Sequence, residues 1–211
     1  MKHLIIIGVG GFAREVCWYA RESLGYGTEW DLKGFLDGDV KLSDDEYEKL
    51  SFPVLGNIAD YDIQDDDVFI CAVGDPAVKF KLVQCILQRG GKFINLIHRT
   101  ASICSTAKMG VGNILAPLAG LSDHAAIGNY VTINCSSGVA HDSNLGDYST
   151  LSSWIDIMGN VSVGKSVFMA GGAKALPHST IEDNAYVGVS SIVFKRVKAG
   201  MRVFGNPAMP I

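Results

Sequence analysis

The sequence has no excess of positive charge. Lysine and arginine number 18 against 22 acidic residues, a net charge of −4. A net acidic chain carries no overall basic footprint for nucleic acid. Long apolar runs are also missing. None approaches the ~20 residues that a membrane-spanning helix needs, so no membrane insertion is expected. No signal peptide is read at the start, because Met1, Lys2 and His3 lead into only four apolar residues before Gly8. Cysteine is sparse and odd in number: Cys17, Cys71, Cys85, Cys104 and Cys135, each set in an apolar pattern. That pattern fits reduced, buried thiols and a cytoplasmic chain. The five histidines offer no H-x₄-H pair, and His124, His141 and His178 stand seventeen and thirty-seven residues apart. No metal site is expected from that spacing. No serine or cysteine is visibly paired with a base, so nothing points to an acyl-enzyme.

What is present is a period of six. Ile103, Met109, Leu115, Leu121, Ile127, Ile133, Val139, Leu145, Leu151, Ile157, Val163, Met169, Ala175, Ile181, Val187, Val193 and Ala199 are all aliphatic or methionine. Four residues after most of them stands a small or β-branched residue, as at Ala125, Val131, Ser137, Ser143, Ser149, Val161 and Val167. Neither an α-helix nor an ordinary strand repeats every six residues. A fixed period marks a solenoid. Each unit then forms one side of a coil, with the large residue inward and the small one letting the chain turn. Three sides close a coil, and residues eighteen apart stack at strand spacing, ~4.8 Å.

The first part of the chain reads differently. Residues 4–7 form a buried strand. The turn Gly8-Val9-Gly10-Gly11-Phe12-Ala13 follows, then a helix with Val16, Cys17 and Ala20 on one face. Residues 32–36 form a second strand ending at Asp37. Residues 38–50 are charged and loop-like. Residues 67–73 form a strand closed by Gly74, Asp75 and Pro76, and a second helix follows. Residues 93–97 form the last strand. Strand, glycine turn and helix open a Rossmann-like unit whose glycines let a phosphate or ribose approach the backbone. The fold expected is therefore an α/β Rossmann-like domain over 1–99, followed by an all-β parallel β-helix over 100–211 with a C-terminal tail. Gly8, Gly10 and Ala13 also fit G-x-G-x-x-A, with Asp37 ending the second strand, so NAD or NADP is an alternative ligand.

The segments Ile127-Gly128-x-x-Val131, Leu145-Gly146-x-x-Ser149, Val163-Gly164-x-x-Val167 and Val187-Gly188-x-x-Ser191 resemble the hexapeptide repeat of left-handed β-helix acyltransferases. Left-handedness is what that resemblance implies. Over the whole chain, the combination with Gly8-x-Gly10-Gly11-x-Ala13, Phe35-Leu36-Asp37, Ala72-Val73-Gly74-Asp75, Asn95-Leu96-Ile97-His98 and Gly205-Asn206-Pro207-Ala208 resembles one bacterial family. That family holds UDP-4-amino-sugar N-acetyltransferases and sialic acid O-acetyltransferases. It implies an acetyl-CoA-dependent homotrimer, with a nucleotide sugar held by Gly8, Gly10, Gly11, Phe12, Asp37, Gly74, Asp75 and Asn134. Sugar O-acetylation and a non-catalytic sugar-binding module are the other readings. The sequence departs from the family at Phe12, where histidine is usual. It departs again at Thr150, which replaces a second histidine nine residues after His141, and at Trp154, where a small residue is usual.

Acetyl transfer needs a base for the nucleophile's proton and a donor for the tetrahedral oxyanion. Histidine suits the base, with an unperturbed pKa of ~6.5. His141 lies two places after Val139, off the inward slot, and Asp142 follows it. A neighbouring carboxylate can orient an imidazole, and the pair matches the family's His-acid pair. Gly159-Asn160-Val161 stands eighteen residues on. The resemblance makes the Gly159 N–H the oxyanion donor and puts Gly159 and Asn160 at the CoA thioester. Lys195, Arg196, Lys198 and Arg202 form a basic cluster in the last coil and tail that reads equally as a contact for CoA phosphates or as a solvated face, and Pro207 in the tail is expected at the cofactor.

Overall fold

The structure is a computed structural model, and it describes residues 1–37 and 43–211. It divides into two compact units, Met1–Arg99 and Thr100–Ile211.

The first unit is built on a five-stranded parallel sheet. In chain order its elements are β1 (Lys2–Ile7), α1 (Gly11–Arg21), β2 (Trp30–Asp37), α2 (Asp44–Glu48), β3 (Val54–Asn57), β4 (Asp67–Cys71), α3 (Pro76–Leu87) and β5 (Lys92–Phe93). The sheet order is β3-β2-β1-β4-β5. Leu4, Ile5, Ile6 and Ile7 are fully buried, as a central parallel strand covered on both faces requires. The helix α1 turns Ala13, Val16, Cys17 and Ala20 inward. The chain runs outward from β1 to β3 and then crosses to β4. The order therefore reverses between β1 and β4, and a crevice opens at the carboxyl ends of those two strands.

Two local expectations fail here. Residues 44–48 are helical, not loop-like. Ser43 starts the turn, and the Glu46 carboxylate reaches back to its backbone N–H at 2.9 Å and its hydroxyl at 3.0 Å, a capping box. The remainder of that expected loop, residues 38–42, lies outside the described residues. The stretch 93–97 is also broken: β5 ends at Phe93, and Leu96–Ile97 is a separate short strand.

The second unit is a parallel β-helix. Pairs of residues such as Gly138–Val139 form each side, and each pairs with the residues eighteen before and eighteen after it. Three parallel sheets result. The inward positions from Leu115 to Val193 are at most 5% exposed. Each buried aliphatic side chain contributes roughly 1.5–3 kcal/mol, and the stack forms one continuous core. Ile103 and Met109 are only partly buried against its first coil.

The period breaks once, after Val193. Val197, not Ala199, takes the next inward slot at 3% exposure, and Val203 the one after. Thr180 pairs with Arg196 and Tyr186 with Arg202, sixteen residues apart. Two residues are missing from that coil, so Ala199 falls on an exposed turn. The tail turns back as Met209–Pro210, antiparallel to Arg202–Phe204.

The corners also differ from the simple expectation. The turn is made by the residue three after each inward position, in the left-handed region with φ of 53–65° at Leu118, His124, Tyr130, Ser136, Asp142, Tyr148, Trp154, Asn160, Ser166, His178, Asn184 and Ser190. The small residue that follows is buried and does separate work. Ser143 Oγ accepts the Val161 N–H at 2.9 Å and donates to the Met158 carbonyl at 2.7 Å. Ser137 and Ser149 do the same one coil side earlier and later. These hydroxyls satisfy corner backbone groups that the strand ladders leave unpaired.

Candidate active site

The candidate catalytic residues gather at one corner of the coil, between the first sheet, which holds Gly138–Val139, and the second, which holds Asn144–Leu145. Successive coils stack two columns there. One column reads Ser105, Asp123, His141, Gly159, Pro177; the next reads Thr106, His124, Asp142, Asn160, His178. Backbone bonds fix the register: Asp142 N–H donates to the Asp123 carbonyl at 3.1 Å, and Asn160 N–H to the His141 carbonyl at 3.1 Å.

His141 and Asp142 come together as expected. His141 Nδ1 lies 2.9 Å from Asp142 Oδ2, and the imidazole is 60% exposed. With Nδ1 held by the carboxylate, Nε2 is turned away from its orienting partner and open to an incoming proton. Asp142 itself sits at φ 58°, a region that aspartate tolerates better than most residues. Gly159 lies against the ring. A Cβ built there would stand 2.5 Å from both Cε1 and Nε2 of His141. Only glycine lets the imidazole take this position. The Gly159 N–H donates to no other group among the described residues, so it is available to an oxyanion.

One coil below lies a cluster that sequence reasoning missed. Asp123 Oδ1 is 3.0 Å from His124 Nδ1 and also accepts from the Thr106 hydroxyl. Cys104 Sγ is 3.9 Å from the same oxygen. The Thr106 hydroxyl first, and His124 second, hold the Asp123 carboxyl below its usual range. The signal was in the sequence: Asp123-His124 lies eighteen residues before His141-Asp142, with the order of acid and base reversed.

Asn134 is elsewhere. It follows Ile133, on the corner between the third and first sheets, and its Oδ1 accepts the neighbouring Cys135 N–H at 2.8 Å. His141 and Asn134 stand at opposite ends of one face of the coil. Thr150 is buried beside Leu151, and Trp154 projects at 69% exposure. In the last coil Arg196 pairs with Glu182 and Arg202 lies 4.6 Å over the Tyr186 ring. Lys195 and Lys198 remain exposed, as does Pro207.

In the first unit the glycine turn closes the β1 end of the crevice. Gly8 has φ 111°, and a Cβ there would meet the Ala72 carbonyl at 3.2 Å. Gly10 and Gly74 face open space, and Gly11 nearly so, which leaves bare backbone where a ligand's phosphate or ribose could approach. Phe12 is half-buried beside them, and Asp37 ends β2. The Asp75 carboxylate is engaged otherwise: it caps α3, accepting from Ala77 N–H at 2.8 Å and Val78 N–H at 3.0 Å. Nearby, Lys79 is 1% exposed, and burial pulls its ammonium down to about 7.

No group of three or more metal-ligating side chains comes together among the described residues. No helix among them is long and apolar enough to cross a membrane.

The family model described as the PglD N-terminal domain matches residues 3–86. The acetyltransferase domain of PglB from Neisseria gonorrhoeae FA1090, solved in complex with acetyl coenzyme A, is 25% identical, with TM-score 0.87 over 100% of this chain and 99% of that one. PerB from Caulobacter crescentus, solved with CoA and GDP-perosamine, is 25% identical, with TM-score 0.88 over 100% of this chain and 98% of that one. The chain is thus similar to acetyltransferases of known structure over its whole length and to the PglD N-terminal domain over its first part. A curated relative, GDP-perosamine N-acetyltransferase of Escherichia coli O157:H7, is 29% identical over 163 residues, 66% of this chain and 66% of that protein. The aligned part thus spans just under two thirds of the relative's length. The corner built from His141, Asp142 and Gly159 brings together an oriented imidazole, a carboxylate partner and a backbone N–H without a partner among the described residues.

Proposed function

We propose that this chain transfers the acetyl group of acetyl-CoA to the amino group of a nucleotide-linked sugar. The observation that carries the proposal is the His141–Asp142 pair laid against the bare Cα of Gly159. His141 Nε2 takes the proton from the amine as it attacks the thioester carbonyl. Asp142 holds the ring through Nδ1 and leaves Nε2 to the amine. The Gly159 N–H receives the developing oxyanion. The collapsing intermediate forms the amide and expels CoA as thiolate, which recovers the proton from His141. No acyl-enzyme is involved.

The nucleotide occupies the crevice between β1 and β4, against Gly8, Gly10, Gly11, Phe12, Asp37, Gly74 and Asp75. Lys195 and Lys198 meet the CoA phosphates near Pro207, and Asn160 borders the thioester. The relatives point to the acceptor class: PerB was solved with CoA and GDP-perosamine, and the E. coli relative is a GDP-perosamine N-acetyltransferase. The working form is a homotrimer in the cytoplasm. An imidazole 60% exposed on an open corner needs a neighbouring surface to exclude water from the thioester, and a second copy of the coil supplies one. It would also bring that copy's Asn134 corner within reach of a sugar. Five free cysteines fit a reducing compartment.

The test is incubation with acetyl-CoA and a panel of UDP-, dTDP- and GDP-linked amino sugars, GDP-perosamine first. Free CoA thiol is followed, and the product is analysed by mass spectrometry with fragmentation. N-acetylation of one acceptor class supports the proposal. Acetylation on a sugar hydroxyl, or no thiol release with any acceptor, overturns it.

A further inference from the structure

The two His-acid pairs of the catalytic corner form a checkerboard. Asp123 lies directly below His141, and His124 directly below Asp142, one coil apart. Parallel neighbours stack at ~4.8 Å, and the Asp142 N–H bond to the Asp123 carbonyl locks this register. His141 therefore has one acidic residue beside it in sequence and a second one coil below. Asp142 is bound to its Nδ1. Asp123 is not.

Every hydrogen bond that Asp123's carboxylate makes among the described residues goes to one oxygen. Oδ1 accepts from Thr106 and lies 3.0 Å from His124. Oδ2 accepts nothing. The Thr106 and His124 contacts thus orient the carboxylate and leave half of it to solvent. The other face of the corner is closed differently. His141 rests on Gly159, so the C-terminal side of the ring is covered, and Asp123 holds the position one coil below it on the other side.

We infer that Asp123 is the acceptor-recognition residue: its free Oδ2 holds the sugar's ammonium beside His141 and makes the site select an amine over a hydroxyl. The inference rests on the acetyl-transfer reading above. A sugar amine arrives near neutral pH largely as R–NH₃⁺ and has to lose a proton before it can attack. Asp123 binds that cation with a charge-assisted hydrogen bond. The ammonium then releases one proton to solvent. The neutral amine forms the C–N bond as the C–S bond breaks, and its second proton passes to His141 and on to the CoA thiolate. Asp123 stays ionised throughout. A hydroxyl acceptor carries no charge and gains much less from the carboxylate.

The experiment measures two quantities in wild type and in Asp123→Asn. One is KM for the amino sugar. The other is the inhibition constant of the same nucleotide sugar carrying a hydroxyl in place of the amine. Wild type should prefer the amine. Asp123→Asn keeps an oxygen for Thr106 but loses the charge. Its amine KM should rise about ten- to a hundredfold, the worth of a hydrogen bond to a charged group. The hydroxyl analogue should bind as before, and the KM for acetyl-CoA should not move. A merely structural role would shift both substrates and the melting temperature together. Unchanged discrimination in Asp123→Asn overturns the assignment of Asp123 alone. So does a wild-type enzyme that binds both acceptors equally, whatever the variant's stability. Failure of wild type to acetylate any amino sugar overturns the underlying reading, and this proposal with it.

Discussion

Replacing Gly159 by alanine separates the chemistry of the corner from its folding. The added Cβ would lie 2.5 Å from Cε1 and Nε2 of His141. Carbon atoms pack at ~3.5–4.0 Å, so the ring must retreat by roughly 1 Å or more. It can do so, because the imidazole is 60% exposed and is the movable end of a side chain. Gly159 also lies outside the positive-φ region, so alanine strains no backbone. Stability should change by less than ~1 kcal/mol, as for surface substitutions that break no specific feature. The rate should not be spared. A 1 Å misplacement of a reacting group can cost ~10²-fold, about 2.7 kcal/mol of barrier. Gly146→Ala is the contrast. Its Cβ would meet the Gly164 carbonyl carbon at 2.6 Å and the Lys165 nitrogen at 2.7 Å, and backbone of the next coil cannot swing away. That variant should lose several degrees of melting temperature or fail to fold. The assay pairs thermal melting with kcat from CoA thiol release. A Gly159→Ala enzyme with wild-type kcat would refute the claim that this glycine sets the imidazole's working position. A collapsed melting temperature would show that the glycine is structural.

Two further outcomes follow from the buried corner serines and from Lys79. Ser143→Ala removes the partner of both the Val161 N–H and the Met158 carbonyl. It should destabilise by about 1–3 kcal/mol, read from chemical denaturation. Lys79 titrates near 7 in the fold, pulled down from 10.5 by burial. Between those values the unfolded chain binds more protons, so Lys79's penalty is fully present below about pH 7 and fades as pH rises toward 10.5. Lys79→Met should therefore raise the melting temperature most at pH 6–7, and the gain should shrink by pH 9–10. A gain independent of pH would contradict this.

The coil was legible because its period is a packing requirement. Each inward slot from Leu115 to Val193 must hold an aliphatic residue, and nothing else in the chain repeats so strictly. The same rule misled at Ala199, where an alanine happens to fall on the count although the coil has shortened and Val197 has moved into the core. The left-handed corners were not legible. Glycine would have announced them, but Leu118, Trp154 and His178 adopt that conformation under the constraint of the coils stacked around them. The edge strand β3 escaped because Val54–Asn57 is short and carries Gly56. In the corner itself, His141 and Asp142 were visible as neighbours in sequence. Their relation to Asp123 and His124 depends on an eighteen-residue register, which only a two-dimensional reading of the coil exposes. Asn134's distance from His141 along one face has the same origin.

The central claim is that His141 is the base. The most direct measurement is the single-turnover rate of acetyl transfer by His141→Ala, with both substrates saturating and their binding measured separately. With His141 as the base, the variant keeps its fold and its affinity for both substrates, and its rate falls by about two to four orders of magnitude, what general-base catalysis supplies. Near wild-type transfer by this variant on a confirmed acceptor would contradict that role.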